Sequence, residues 1–401
     1  MQHIAVVGAG QAGASLTAKL RTLGFEGRIT LFGEEPAPPY QRPPLSKAYL
    51  LGEMEKERLY LRPESFYAEH DIELRLGQPV TKIDPAARTL EAGGETLEWD
   101  QLALTTGSSP RRLPAAIGGG LEGVYTVRTL ADVDAMAPEF RDGARVLVIG
   151  GGYIGLEAAA VAAKKGLQVT VVEMAPRILQ RVACAETSDY VRALHQSHGV
   201  TIREGVGLTR LTGGPRVTGA VLSDGTELAL DFAIVGVGIA PNTALAEAAG
   251  LTIDNGIAVD EIGHTSAPHV WAAGDCASFP FHDVRLRLES VQNAIEQAES
   301  VAANIMGANE PYRPVPWFWS DQYDLALQIA GLNAGYDRIL VREVGGARSH
   351  WYYRGETFLA VDAMNDSRAY MVGKRLLEAG RNPDPAAVTD PETDLKKLLK
   401  V

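Results

Sequence analysis

Apolar runs that end in a glycine cluster and then pass into a helical pattern organise this chain, and the arrangement occurs twice. Ile4–Val7 runs into Gly8-Ala9-Gly10-Gln11-Ala12-Gly13 and then ASLTAKLRTLG. Val146–Ile149 runs into Gly150-Gly151-Gly152-Tyr153-Ile154-Gly155 and then LEAAAVAAKKG. The short runs read as strands and the following segments as helices. In each strand–turn–helix unit the first glycine allows the tight turn, the second lets backbone approach a pyrophosphate, and the third lets helix pack on strand. The helix N-terminus then offers free N–H groups to phosphate. One such pattern is weak evidence; two in one chain predict two dinucleotide sites.

The strands that follow carry the acids such sites use. Arg28–Phe32 ends at Gly33-Glu34-Glu35, and Leu167–Val172 ends at Glu173, eighteen residues after Gly155. An acid at the end of the second strand accepts from ribose hydroxyls. Glu34 is the choice in the first unit, with Glu35 as the alternative and a solvated strand end as the plainer reading. Glu173 would also repel a 2′-phosphate, by about 4 kcal/mol per charge pair at contact in an intermediate dielectric. NADH is therefore expected over NADPH. Arg177 qualifies this only slightly if, as expected, it is solvated.

Between these units the pattern loosens. Pro36 through Pro44 forbid regular ladder or helix until about Leu45. That stiff segment, with Arg42, Ser46 and Lys47, reads as a wall of a cofactor site or as a proline-rich surface loop. Residues 66–106 alternate short strands with turns, and a helix is expected over Thr129–Phe140. Glycine and proline near 110–120 and 236–242 punctuate two domain crossings around a β-rich stretch, 200–235. Val270-Trp271-Ala272-Ala273 then ends at Gly274-Asp275, which can set a carboxylate at a sheet's C-terminal edge. A helix should run from Ser290 to about Ile305.

From Pro311 the composition changes. Trp317, Phe318 and Trp319 precede strand-like segments at Ala326–Ala330, Arg338–Val344, His350–Arg354 and Thr357–Val361. A basic helix, Arg368–Ala379, follows, and the amphipathic tail DLKKLLKV should pack on the body. The fold class is α/β, two Rossmann-like dinucleotide-binding domains plus a C-terminal α+β domain.

Composition narrows the function. With 401 residues the chain is too long for a single core. Its net charge of −12 argues against a nucleic-acid partner. No apolar run approaches the ~20 residues that span a bilayer, and Met1-Gln2-His3 enters a strand with no signal-peptide pattern. Only two cysteines are present, Cys184 and Cys276, which suits a reducing cytoplasm. No His, Cys and carboxylate set has metal-ligand spacing, so no metal is expected.

The ordered set GAGQAG, PPLSKAYL, GGGYIGLE with Glu173, APN, TSAPHVWAAGD, ESVQNAIEQA and PWFWSDQ resembles, over essentially the whole chain, the FAD-dependent, NADH-using ferredoxin reductases of the putidaredoxin reductase and rhodocoxin reductase kind. Reductase components of aromatic-ring dioxygenases look similar. The resemblance implies a glutathione-reductase-like fold, with FAD bound by 1–110 and 243–310, NADH by 111–242, and 311–401 as the last domain. It implies Gly8, Gly10, Gly13, Glu34, Arg42, Lys47, Arg128, Asp275 and the Val291 backbone at FAD. It assigns Gly150, Gly152, Tyr153, Ile154, Gly155, Glu157 and Glu173 to NADH. Lys47 and Glu157, read as members of different Rossmann units, would orient the nicotinamide or else form a plain inter-domain ion pair. Trp319 would shield the flavin or serve as an ordinary core aromatic.

The implied reaction sends a hydride from NADH to flavin and then single electrons to a 2Fe–2S ferredoxin supplying a monooxygenase or ring dioxygenase. No CxxC or CxxxxC dithiol follows the first helix, so electrons should leave by a carrier and not a thiol. The rivals are an NADH oxidase or peroxidase and a redox-sensing binding protein related to apoptosis-inducing factor. Arg285, Arg287, Lys374 and Arg375 are candidate contacts for a transient, electrostatic ferredoxin complex, or solvated surface charges. The protein should be a monomer or weak dimer.

Overall fold

The computed structural model describes residues 2–400; Met1 and Val401, at the ends of the MQH and DLKKLLKV segments of the sequence, lie outside the described residues. The chain forms two compact units. One holds the residues up to Arg42 with Glu55–Ser109 and Ile239–Pro314; the other holds Pro43–Met54, Pro110–Gly238 and the chain from Val315 on.

The first unit is built on a five-stranded sheet in the order Val270–Ala272, Gln101–Leu104, His3–Val7, Arg28–Phe32, Ile72–Arg75. Every pairing is parallel. A parallel sheet is covered on both faces, so its strands read as unbroken apolar runs and not as alternation. HIAVV is accordingly buried at every position. The helices Gln11–Thr22 and Val291–Ile305 pack together, with Leu16, Leu20, Ala298 and Val301 meeting Ile4, Val6 and Leu31 in one core. Parallel register brings the C-terminal ends of His3–Val7, Gln101–Leu104 and Val270–Ala272 to one edge.

The second unit repeats the scheme with strands Thr201–Glu204, Gln168–Glu173, Arg145–Ile149, Phe232–Val235 and Val124–Tyr125, all parallel. The alanine-rich helix Tyr153–Lys164 is buried from Gly155 to Ala162, since small side chains let it lie close on the sheet. The unit also carries an antiparallel sheet in the order Trp317–Gln322, Leu325–Gly331, Thr357–Met364, Ala347–Arg354, Arg338–Val344. The helix Ser367–Glu378 packs on it through Ala369, Tyr370, Val372, Gly373 and Leu376, a three- and four-residue spacing. Asp366 caps that helix by accepting from the Ala369 N–H at 2.9 Å. Leu395 of the tail is buried in the same core, so the tail packs on the body as expected.

The architecture is the glutathione-reductase-like fold, with two expectations corrected. Trp317, Phe318 and Trp319 do not merely precede the last sheet; they begin its first strand, Trp317–Gln322. Helical turn starts earlier than Leu45, as the short 3₁₀ segment Pro43–Ser46. Proline is tolerated in a first turn because the missing N–H has no acceptor there.

Candidate functional site

Each glycine loop has the shape its sequence demands. Gly8 sits at φ +117, and a Cβ on it would lie 2.1 Å from the Thr105 carbonyl oxygen. A Cβ on Gly13 would lie 2.1 Å from the Gly8 oxygen, so only hydrogen lets helix meet strand there. Gly10 faces open space, with nothing within 4 Å. In the second loop Gly150, at φ +106, is blocked by the Gly236 oxygen at 2.3 Å and Gly155 by the Gly150 oxygen at 2.4 Å. Gly152 is the open position. Both helices start at that open glycine, with no side-chain cap and no acid in the first turn. Their leading N–H groups are therefore left for an anion, and both loops fit a dinucleotide pyrophosphate.

Around the first loop the structure gathers Asp275 and Val291. Gly274, one residue before Asp275, would put a Cβ 3.0 Å from Ala12 in the first helix. The Asp275 carboxylate accepts from Ser108 Oγ at 2.7 Å, a hydroxyl that sequence reading did not single out. Val291 opens its helix, with Ser290 as the capping side chain. At the end of Arg28–Phe32 the two acids differ. Glu35 accepts from Arg42 at 2.6 Å and from Tyr40 OH at 2.5 Å, whereas Glu34 is exposed. Arg42 is thus tied to Glu35 within the first unit. Lys47 and Arg128 belong to the second unit, and the Arg128 backbone N–H meets Asp132 at 3.1 Å.

Around the second loop, Glu173 accepts from the Gly151 N–H and the Ala175 N–H, both at 2.7 Å. These bonds hold the carboxylate at the loop and leave acceptor capacity on each oxygen. Ile154 is exposed and aliphatic; the Tyr153 ring packs on Phe318 at 4.9 Å, and its hydroxyl is buried. Arg177 is not solvated. Its guanidinium donates to Ser188 Oγ at 2.6 Å and to the Ala183 oxygen at 2.8 Å, so it is spent on the neighbouring helix.

Lys47 and Glu157 are brought together, and the expectation that they belong to different units is corrected. The segment Pro43–Met54 joins the unit that contains Glu157, and Lys47 Nζ lies 3.0 Å from Glu157 Oε1. Glu157 is 5 % exposed. Ser46, read from sequence only as part of a cofactor-site wall, and Ser320, given no role there, donate to its two oxygens at 2.7 Å each. Burial pushes the Glu157 carboxyl up, against the opposing pull of Lys47 and the two serines. Trp319, next to Ser320, lies 5.6 Å from Trp317 and is half-buried.

Arg285 is exposed and Arg287 half-buried, and both are engaged within the protein. Arg285 donates to the Val259 and Ser278 oxygens at 2.9 and 2.6 Å, and Arg287 donates to the Asn255 oxygen at 2.9 Å and pairs with Glu289 at 2.7 Å. These bonds use some of the five N–H donors of each guanidinium and leave its charge in place. Lys374 lies over Trp317 at 5.4 Å and Arg375 is exposed on the same helix.

Both cysteines are free and buried. Cys276 is an inert small residue beside the Leu104 and Ala273 carbonyls. Cys184 belongs to a cluster that no sequence spacing announces, because its members come from three elements: Cys184, His350 and Asp362 offer ligand atoms within 4.8 Å of one another. Hydrogen bonds already claim them. Arg348 Nε donates to His350 Nε2 at 2.9 Å, so the ring proton is on Nδ1 and goes to Thr187 at 2.7 Å. Thr187 donates to Asp362 Oδ2 at 2.7 Å, which also accepts from Tyr352 OH. A cation there would have to displace Arg348 and Thr187.

Asp362 Oδ1 has no hydrogen-bond partner among the described residues, and burial pushes the carboxyl up to about 6 against the bonds from Tyr352 and Thr187. A folded pKa raised above the unfolded value means the native state holds the proton longer, so this group's contribution falls as pH rises from about 4 to 6 and stays lost above. Asp362→Asn is expected to abolish that decline, a relative gain of about 3 kcal/mol at neutral pH over acid. Urea midpoints of variant and parent at both pH values check it; parallel pH dependences would refute it.

Two such glycine loops in one chain fit an oxidoreductase that uses two dinucleotides. Residues 2–298 match the family described as pyridine nucleotide-disulphide oxidoreductase, and residues 317–399 match the reductase C-terminal family. A ferredoxin–NAD(P)(+) reductase of Sphingomonas sp. is 44% identical over 99% of this chain and 97% of its own. Rhodocoxin reductase of Rhodococcus erythropolis is 41% identical over 99% and 94%. The crystal structure of a covalent putidaredoxin reductase–putidaredoxin complex superimposes with a TM-score of 0.96 at 39% identity, covering 100% of this chain and 98% of that one. The chain belongs to the pyridine nucleotide-disulphide oxidoreductase family and, within it, to the ferredoxin reductases, flavin enzymes of electron transfer. That family implies FAD and NAD(P)H. Among the described residues, no helix is long and apolar enough to cross a membrane.

Proposed function

We propose that this chain is an NADH:ferredoxin reductase, binding FAD on 1–110 and 243–310 and NADH on 111–242, with 311–401 as a C-terminal domain. The observation that carries the reading is the pair of glycine loops with the same open position, Gly10 and Gly152, at uncapped helix starts. The net reaction is NADH plus two oxidised 2Fe–2S ferredoxins giving NAD+, a proton and two reduced ferredoxins. FAD, when bound, takes up the electron pair of NADH together and releases it one electron at a time.

The chain's own residues bind and orient. Gly8, Gly10 and Gly13 cradle the FAD pyrophosphate and Glu34 accepts from its ribose, with Arg42, Asp275 and the Val291 backbone completing that set. Gly150, Gly152, Ile154 and Gly155 receive NADH, with the backbone at Tyr153. Glu173 accepts from the adenosine ribose, and the engagement of Arg177 elsewhere leaves no counter-charge from it for a 2′-phosphate. Lys47 and Glu157 orient the nicotinamide end. With both cysteines buried and unpaired, no dithiol relay is available and a one-electron carrier must take over. The unpaired thiols also fit a reducing cytoplasm.

The partner is a 2Fe–2S ferredoxin docking transiently, with Lys374, Arg375 and Trp319 as contacts to examine, and an oxygenase as the final consumer. The test is NADH-driven reduction of a panel of purified 2Fe–2S ferredoxins by the holoenzyme. Turnover with at least one, far above oxygen consumption alone, is expected; oxygen uptake that no ferredoxin accelerates would reject the reading in favour of an oxidase. For cofactor choice, Glu173→Gln keeps an acceptor at the loop and removes the charge. Its preference for NADH over NADPH, as the ratio of kcat/KM values, should fall by roughly tenfold; an unchanged ratio would take Glu173 out of the ribose site.

A further inference from the structure

Glu157 sits at the end of a line of hydrogen bonds whose direction is fixed. A carboxylate only accepts, so the single proton of Ser320 Oγ goes to Glu157 Oε1, at 2.7 Å. Ser320 must then accept from Gln322 Nε2, at 3.1 Å. That turns the amide oxygen of Gln322 toward His195 Nε2, at 2.7 Å, and an amide oxygen also only accepts. The His195 proton is therefore on Nε2, and Nδ1 is left to accept from Tyr323 OH at 3.3 Å. Ser320, Gln322 and His195 are buried. Ser320 and Gln322 are two apart on one strand and share a face. Burial holds the His195 ring neutral, so the direction stands.

We infer that Tyr323, His195, Gln322 and Ser320 form a one-way donor chain that fixes the orientation and the negative charge of Glu157, which makes them positioning residues for the nicotinamide end of NADH. The inference rests on the assignment of Glu157 to that end. Each donor polarises the next, strengthening the last bond. If Glu157 took up a proton on Oε1 it would have to donate to Ser320, whose own proton would then face the Gln322 amino group, which cannot accept. Protonation at that oxygen thus breaks the chain. The amide at Gln322 cannot pass a proton, so the device clamps charge and does not conduct it.

The surrounding charges are few. Lys47 faces Glu157 directly, Asp321 lies 3.9 Å from Lys47, and Tyr153 on the same helix as Glu157 acts through space. At the outer end His198 stacks on Tyr323 at 3.7 Å and further disfavours a charge on His195. The outward face of the chain is therefore imidazole and phenol, and the inward face a lysine-paired carboxylate.

The experiment measures NADH KM and kcat with ferricyanide across pH for the flavin-loaded parent, Ser320→Ala, Gln322→Leu, Ser320→Thr and Glu157→Gln, with flavin content and Tm. Ser320→Ala and Gln322→Leu should raise the NADH KM roughly three- to tenfold with a smaller change in kcat. Both should move the acid limb of kcat/KM up by about one pH unit, since losing a donor lets burial raise Glu157 further. Ser320→Thr, which keeps the hydroxyl, should restore both. Should Ser320→Ala not retain flavin, His195→Phe against His195→Gln makes the same comparison from farther along the chain. A shifted Tm with unmoved KM and acid limb would overturn the inference. If Glu157→Gln changes the NADH parameters while the chain variants do not, the chain alone falls; if Glu157→Gln is itself silent, the nicotinamide assignment falls with it.

Discussion

Gly13→Val is expected to leave the protein colourless. The added Cβ would lie 2.1 Å from the Gly8 carbonyl oxygen and 3.0 Å from Leu31, both in a packed strand–helix junction that cannot yield locally. The helix start would be pushed off the sheet edge, and the N–H groups aimed at the pyrophosphate would go with it. Overpacking on this scale costs on the order of 3 kcal/mol, roughly a hundredfold in affinity before the branched methyls are counted. The ratio of flavin to protein absorbance after gel filtration measures it. Full flavin content in a folded Gly13→Val protein would contradict the placement of FAD on the first loop.

Gly155→Val should separate the two cofactors. Its Cβ would meet the Gly150 oxygen at 2.4 Å, in the second unit, while the first loop is untouched. The variant should stay yellow and be bleached by dithionite at the parent rate. Its reduction by NADH should slow by roughly a hundredfold or more at equal NADH, for the same overpacking reason. Stopped-flow absorbance reads both rates. Loss of flavin with retained NADH reduction would reverse the assignment of the two loops.

The two glycine loops were legible because their requirements are local: strand, turn and helix are contiguous, and each glycine answers to an atom a few residues away or to its own sheet neighbour. The same local logic selects Glu34 and Glu173 from the strand ends, and the structure adds that Glu35, the alternative to Glu34, is bonded by Tyr40 and Arg42. Side chains that support Glu157 were not legible. Ser46 is 111 positions from it and Ser320 is 163, and neither spacing nor periodicity marks such partners. The strand alternation in PWFWSDQ, which sets Ser320 and Gln322 on one buried face, was the available signal, and the aromatics in that segment obscured it.

Arg285 and Arg287 carry the opposite lesson. Charge read along a chain does not show which guanidinium protons are already used, and here the carbonyls of Val259, Ser278 and Asn255 take some of them. The Cys184, His350 and Asp362 cluster was illegible for a related reason, since helix and sheet supply its members from positions far apart in sequence.

On the proposed route electrons enter from NADH at one dinucleotide site and leave singly from the flavin on the other, with no thiol between. Anaerobic mixing of the holoenzyme with NADH, followed in a second mix by an oxidised 2Fe–2S ferredoxin, tests it most directly. Bleaching of the flavin by NADH, unaffected by prior alkylation of thiols, is expected, followed by recovery of its colour as two ferredoxins per flavin become reduced. Recovery with oxygen or a disulfide but with none of the 2Fe–2S proteins would contradict it.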